Sequence, residues 1–294
     1  LETVSTPSFF FPAIVARALA VVALALGIPF LPLVVAMADL SMAYRTIPTS
    51  QPWYTAIGFY NPTSHPPRPE YYWLPGHNFG LASAVVNFNR YPELIVIALR
   101  ALFALIVDHY YDDFILPDLE AGRRSALDIL EDFIHMCGTG ARRTARQRVR
   151  SPELDPAKTK EPLRSNVVLG VTADLSSASA TPPSVHFRAE PERIERVLAT
   201  FRAAFERGRL SPHEAASLRG KLFFLLSAAF GAVGRAATLP LVQRQYRDPP
   251  PFTFTRGSEL HHCLLFFEAL LPSLPPLHVP LVQSRRPPLL VYTD

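Results

Sequence analysis

Cysteine is nearly absent: the 294 residues hold two, Cys137 and Cys263. With no Cys-x-x-Cys spacing, they exclude a disulfide framework and argue against a zinc site, although His261 and His262 directly precede Cys263. Two reduced, buried thiols of an intracellular protein are the simpler reading. Glycine is scarce beside proline, 13 against 30. Proline at about twice average usage implies many irregular connections. Neither sign of charge prevails: Lys+Arg number 29 and Asp+Glu 25, net +4. That balance permits a nucleic-acid partner without arguing for one. Among the basic residues arginine dominates, and its planar fork suits phosphate better than lysine does. No internal repeat is visible.

What is present is apolar. Hydrophobic residues make up 49% of the chain, enough to exclude bulk disorder and to bury the core of one large domain or two ordinary ones. One uncharged run, Ala18 to Ala38, is long enough on hydropathy alone to span a bilayer, where about 20 residues suffice. Pro29 and Pro32 interrupt it, and Asp39 follows it directly. The soluble reading divides it into a buried helix, Ile14 to Leu26, and a short central strand, Leu33 to Ala38. A secretory signal fits poorly, since Glu2 but no Lys or Arg precedes Arg17. A chain that opens on Leu1 and stops at Asp294 within an apolar run reads as a fragment of a longer polypeptide.

Along the chain, residues 48–75 are rich in proline and aromatics and read as loop with short strands. Leu81 to Leu105 is a long helical stretch with a candidate break at Pro92. Ile106 to Leu116 reads as strand, turn, strand, and Ser125 to Met136 as an amphipathic helix. Arg142, Arg143, Arg146, Arg148 and Arg150 form a basic segment, either a solvated face or a nucleic-acid contact. Val167 to Val171 is a strand and Ser176 to Pro183 a linker. Pro191 to Arg207 is a helix of alternating charge. Ser211, Pro212 and Glu214 signal the start of a helix reaching Ala237. Residues 248–260 and 272–288 are Pro-rich connections, and Leu289 to Tyr292 begins a strand.

The chemistry rests on three carboxylates. Nucleotidyl transfer with two divalent cations needs hard oxygen ligands that converge, and two strands ending side by side can supply them. Asp39 closes one apolar run, and Asp112-Asp113 sits in a tight turn between two others. Singly, each is more often a cap or turn residue.

The letters around them carry more. Tyr110-Tyr111-Asp112-Asp113 resembles the Tyr-x-Asp-Asp box of reverse transcriptases, and Asp39-Leu40-Ser41-Met42-Ala43-Tyr44-Arg45-Thr46-Ile47-Pro48 resembles their first catalytic motif. Asn78-Phe79-Gly80-Leu81-Ala82-Ser83-Ala84, with Phe88-Asn89-Arg90 beyond, is similar to the Pro-Phe-Gly-Leu-x-x-Ala box. Pro156-Ala157-Lys158-Thr159 and Val168-Leu169-Gly170-Val171 resemble the next two motifs, in the family's order. Leu210 to Leu241 looks like the helical connection that follows the palm in retroelement polymerases, and Leu289 to Asp294 like the first strand of an RNase H domain.

This resemblance to the reverse transcriptase region of a retrotransposon Pol polyprotein implies an α+β fold. It expects a palm of antiparallel sheet and packed helices, then a mainly helical thumb or connection. The implied segments are an apolar helical segment 1–32, a palm 33–175 with a partial fingers insert 48–75, a thumb or connection 176–247, a Pro-rich linker 248–288, and a truncated RNase H start 289–294. It implies RNA-directed DNA polymerase activity with two Mg²⁺ (or Mn²⁺) ions held by Asp39 and Asp112, supported by Asp113 and the Leu40 carbonyl. Tyr44 would exclude a 2′-hydroxyl, Phe79 and Gly80 would floor the nucleotide, and Lys158 would donate a proton to pyrophosphate. Leu169 and Gly170 would grip the primer, Arg219, Lys221 and Arg235 would touch the nucleic-acid backbone, and Asp294 would open the RNase H site. Partners would be template and primer, dNTPs and the rest of the polyprotein, in the cytoplasm or nucleus, without stable membrane association.

The chain departs from the pattern in three places, one of them Val168, which stands where the Phe of the family's Phe-Leu-Gly strand is expected. Gly76, His77 and Asn78 separate Pro75 from Phe79, and residues 1–38 carry one basic residue, Arg17, where triphosphate-gripping fingers are expected. Three alternatives follow: a degenerate palm that binds nucleic acid without catalysis, a protein anchored in a membrane through 18–38, and a DNA-templated polymerase of the same palm type.

Overall fold

The structure, a computed structural model, describes residues 8–41, 43–77, 82–138, 154–228 and 234–282. They divide into two compact units: 1–15 with 31–166, and 16–30 with 167–294. Helices and antiparallel sheets are mixed, an α+β fold.

Helix α1 (Phe11–Leu26) ends where Gly27 turns left-handed, at φ 65, and the Ile28 amide bonds back to the Ala23 carbonyl. It is not the buried helix that its apolarity suggests. Ala13, Ala16, Ala20 and Ala23 are buried, whereas Ile14, Val21, Val22, Leu24 and Leu26 are exposed. The apolar run 18–38 thus divides between α1 and the strand β1 (Leu33–Asp39), and among the described residues no helix is long and apolar enough to cross a membrane.

In the first unit β1 is buried at all seven positions, as a central strand of continuous apolar sequence should be. The sheet order is β4-β5-β1-β6, with β4 Asp108–Tyr110, β5 Asp113–Leu119 and β6 Lys160–Leu163. Pro117 interrupts β5 without harm, because β4 pairs only with Asp113 to Ile115 and leaves that part of β5 at the edge. Helices α2 (Ala82–Phe103) and α3 (Ser125–Gly138) form one core with this sheet: Phe88, Ile95, Leu99, Leu127, Leu130 and Ile134 join Ala36, Ala38, Phe114 and Leu116. Their spacing of three or four residues is that of a single helix face. Pro92 does not break α2, which runs on to Phe103. Strands β2 (Ala56–Asn61) and β3 (Arg68–Trp73), short strands as expected within 48–75, pair as a hairpin that is almost wholly exposed.

The second unit has a sheet of order β10-β9-β8-β7, where β7 is Ser165–Val168, β8 Val171–Asp174, β9 Ser184–Ala189 and β10 Leu277–Pro280. The expected strand 167–171 is instead the end of β7, a turn at Leu169-Gly170 and the first residue of β8. Among the described residues four α-helices follow: α4 (Pro191–Arg207), α5 (Pro212–Ser227), α6 (Leu239–Tyr246) and α7 (Glu259–Leu270). They share a core in which Phe201, Leu218, Leu222, Leu225, Leu241, Leu264 and Phe267 are buried. The reading of 248–288 as a Pro-rich linker is corrected over 259–280. Leu260, Cys263, Leu264 and Phe267 recur at helical spacing and are buried in that core, and β10 pairs with β9. Prolines flank α7 rather than enter it, so local composition hid a folded element.

Candidate metal centre

Register brings the three carboxylates together. In the antiparallel pair β1–β5, Asp39 stands directly opposite Asp113. Tyr110 faces Asp113 across the β4–β5 hairpin, so Tyr111 and Asp112 form a two-residue turn. Two backbone bonds of 2.8 Å tie the strand end to its surroundings: the Leu40 amide donates to the Asp112 carbonyl, and the Asp155 amide to the Asp39 carbonyl. One ligand oxygen from each of Asp39, Asp112 and Asp113 lies within 4.8 Å of the others, the only such group of potential metal ligands among the described residues.

The electrostatics suit a cation. Burial, then Asp112 and Asp39, push Asp113 up to about 6. Burial and the Asp39 charge raise Asp112 as well. Three carboxylates that withhold water from one another in this way are costly to ionise together, and a hard divalent ion relieves that repulsion through oxygen ligands. The three carboxylates could therefore hold a metal ion. Lys158 supplies the cationic counterpart seen here: its Nζ donates to Asp39 Oδ1 at 2.9 Å and Oδ2 at 3.1 Å, which raises its own pKa.

Tyr44 lies in the short turn Ala43–Thr46, edge-on to Phe88 with ring centroids 4.9 Å apart. Burial, then Asp112 and Tyr111, raise its pKa, so the ring is both the margin of the core and a neighbour of the carboxylates. The inserted Gly76-His77 closes the loop that begins at this turn. Thr49 donates to the Pro75 carbonyl, His77 to the Ile47 carbonyl, and Pro48 bridges Gly76. A side chain at position 76 would strike the Arg45 carbonyl.

Asp39, Leu40, Tyr44, Asp112, Asp113 and Lys158 are thus brought together in the first unit. Phe79, Gly80, Asp294 and the arginines of 142–150 lie outside the described residues. The remaining expected residues belong to the second unit. Leu169 and Gly170, at φ 49 and φ 80, make the β7–β8 turn, both left-handed as a type I′ hairpin requires. A side chain at Gly170 would meet the Arg193 guanidinium. Lys221 lines a cavity of about 330 Å³ between α4 and α5 with Arg193, Arg196, Gly220 and Phe224. Arg219 donates to Gln245 at 3.1 Å, and Arg235 lies over the Phe223 ring at 5.0 Å.

Sequence reasoning passed over His109, Glu93 and Arg193. His109 left a signal: it alternates with Val107 toward the interior, and both are buried. Glu93 and Arg193 left none, since each reads as an ordinary helix-surface charge. No protein-family profile matches the chain, and neither does any curated protein.

Proposed function

We propose that the chain is the palm and following connection of an RNA-directed DNA polymerase, adding deoxynucleotides to a primer 3′-end on a template. The observation that carries the reading is the convergence of Asp39, Asp112 and Asp113 at the ends of β1 and the β4–β5 hairpin. Metal ions bound there would activate the primer hydroxyl and neutralise charge on the leaving pyrophosphate. The protein's own part is positioning. Asp39 and Asp112, with Asp113 and the Leu40 carbonyl in support, would hold the ions. Tyr44 would bar a 2′-hydroxyl. Lys158, a hydrogen-bond donor on Asp39, would hand a proton to pyrophosphate. Leu169 and Gly170 would grip the primer, and Lys221, Arg219 and Arg235 would meet nucleic-acid backbone, where each phosphate contact adds a salt-dependent increment of affinity. Template, primer, dNTPs and the rest of a Pol polyprotein are the proposed partners.

A second reading, a palm that binds nucleic acid without catalysis, is favoured by one observation: Lys158 Nζ donates to both carboxylate oxygens of Asp39, which a metal ion would need. One experiment separates the two. The purified chain is given an RNA template, an annealed DNA primer, dNTPs and Mg²⁺, beside an Asp112→Asn/Asp113→Asn control. Extension that vanishes in the control is the expected result. Primer–template binding without extension, by folded protein, selects the second reading; a DNA template in parallel tests template choice.

A further inference from the structure

His109 occupies the strand before the candidate ligands, with its side chain 1% exposed. Nδ1 lies 3.1 Å from the Tyr111 carbonyl oxygen, and Nε2 lies 3.1 Å from Glu93 Oε2 on α2. A carbonyl only accepts, so Nδ1 carries a hydrogen. The ring thus bridges a backbone carbonyl of the turn and a half-exposed carboxylate of α2, so that both of its nitrogens have a partner. The other charges on this strand are engaged elsewhere: Asp108 accepts from the His109 amide and pairs with Arg100 at 3.3 Å.

The bonded carbonyl belongs to Tyr111, whose φ of 55 is left-handed. For a residue with a Cβ that conformation costs roughly 1–2 kcal/mol and persists only where the surroundings over-determine it. Its neighbours are Asp112, whose carbonyl holds the Leu40 amide, and Asp113, opposite Asp39. We propose that His109 is a positioning residue: a buried ring, held between Glu93 and the Tyr111 carbonyl, that pins the Tyr111 turn and so sets where Asp112 and Asp113 stand. The consequence for metal binding rests on the polymerase reading; the clasp itself does not.

The test uses the whole chain. Hydrogen exchange at the Leu40 amide reads the turn: faster in His109→Leu, near wild type in His109→Asn, whose amide nitrogen stands where Nδ1 does and can donate to the Tyr111 carbonyl. Mn²⁺ affinity, by calorimetry, is expected to fall about 10-fold in His109→Leu, the low end for residues that orient metal ligands, and to recover in His109→Asn. Unchanged exchange and affinity in folded His109→Leu refute the positioning role. If the wild-type chain binds no Mn²⁺, the metal reading fails alone, and the exchange still decides the clasp.

Discussion

Asp113 is the residue at which function and stability pull apart. Its folded pKa, about 6, stands above its ordinary value of 3.8, so the folded state holds the proton more tightly than the unfolded one. Stability should therefore decline as pH rises from about 4 through about 6 and stay low above that, the reverse of a salt-bridged aspartate. Asp113→Asn should remove this decline. Above pH 6 the variant should gain on the order of 1 kcal/mol, after allowing for screening of a partly exposed group, while any metal-dependent activity falls. Urea midpoints at pH 4.5 and 7.5 check it: a variant that gains nothing at pH 7.5 would show that the carboxylates are not under mutual strain. The candidacy of Asp112 and Asp113 was legible in their neighbours, because Tyr-Tyr-Asp-Asp between apolar runs demands a hairpin. The role of His109 was not, because its partner Glu93 reads as a surface charge until α2 is laid against the sheet.

At the scale of elements, turns and caps set the local geometry. Gly170 sits at φ 80 with Arg193 where a Cβ would go. Gly170→Ala should destabilise the second unit by roughly 1–2 kcal/mol through the left-handed backbone alone. Adding Arg193→Ala should recover only the steric remainder, which a double-mutant cycle in urea would read. Helix α5 starts with a full capping box: Ser211 Oγ accepts from the Glu214 amide, and Glu214 Oε2 accepts from the Ser211 amide at 2.8 Å. The Ser211 amide, then the Arg207 guanidinium, hold Glu214 down to about 2. A depressed folded pKa contributes stability above the unfolded value, 4.5, that is lost as pH falls toward 2. Glu214→Gln should cost about 1 kcal/mol at pH 7 and nothing near pH 2, as thermal melts at the two pH values would record. This cap was readable from Ser-Pro-x-Glu, since capping is local. The helix α7 was not, because flanking prolines masked a stretch whose burial depends on α4 and α6.

For the whole molecule, two compact units with separate cores imply two places where packing can fail independently. Phe201, fully buried among α4, α5 and α7, belongs to the second. Phe201→Ala should cost about 3–5 kcal/mol there, and hydrogen exchange should lose protection in α4, α5 and α7 while β1 and β5 keep theirs. Simultaneous loss in both units would show that they unfold as one. By itself the sequence determined the order of elements, the strand that ends in Asp39, the hairpin that presents Asp112 and Asp113, and the cap of α5. Each follows from patterning within a few residues, and the polymerase resemblance rests on that same local text. Only tertiary structure decided that Asp39 stands opposite Asp113, that Lys158 reaches back 119 residues to Asp39, and that Glu93 meets His109. Those contacts depend on strand register and on how helices lie against a sheet, which no local propensity specifies.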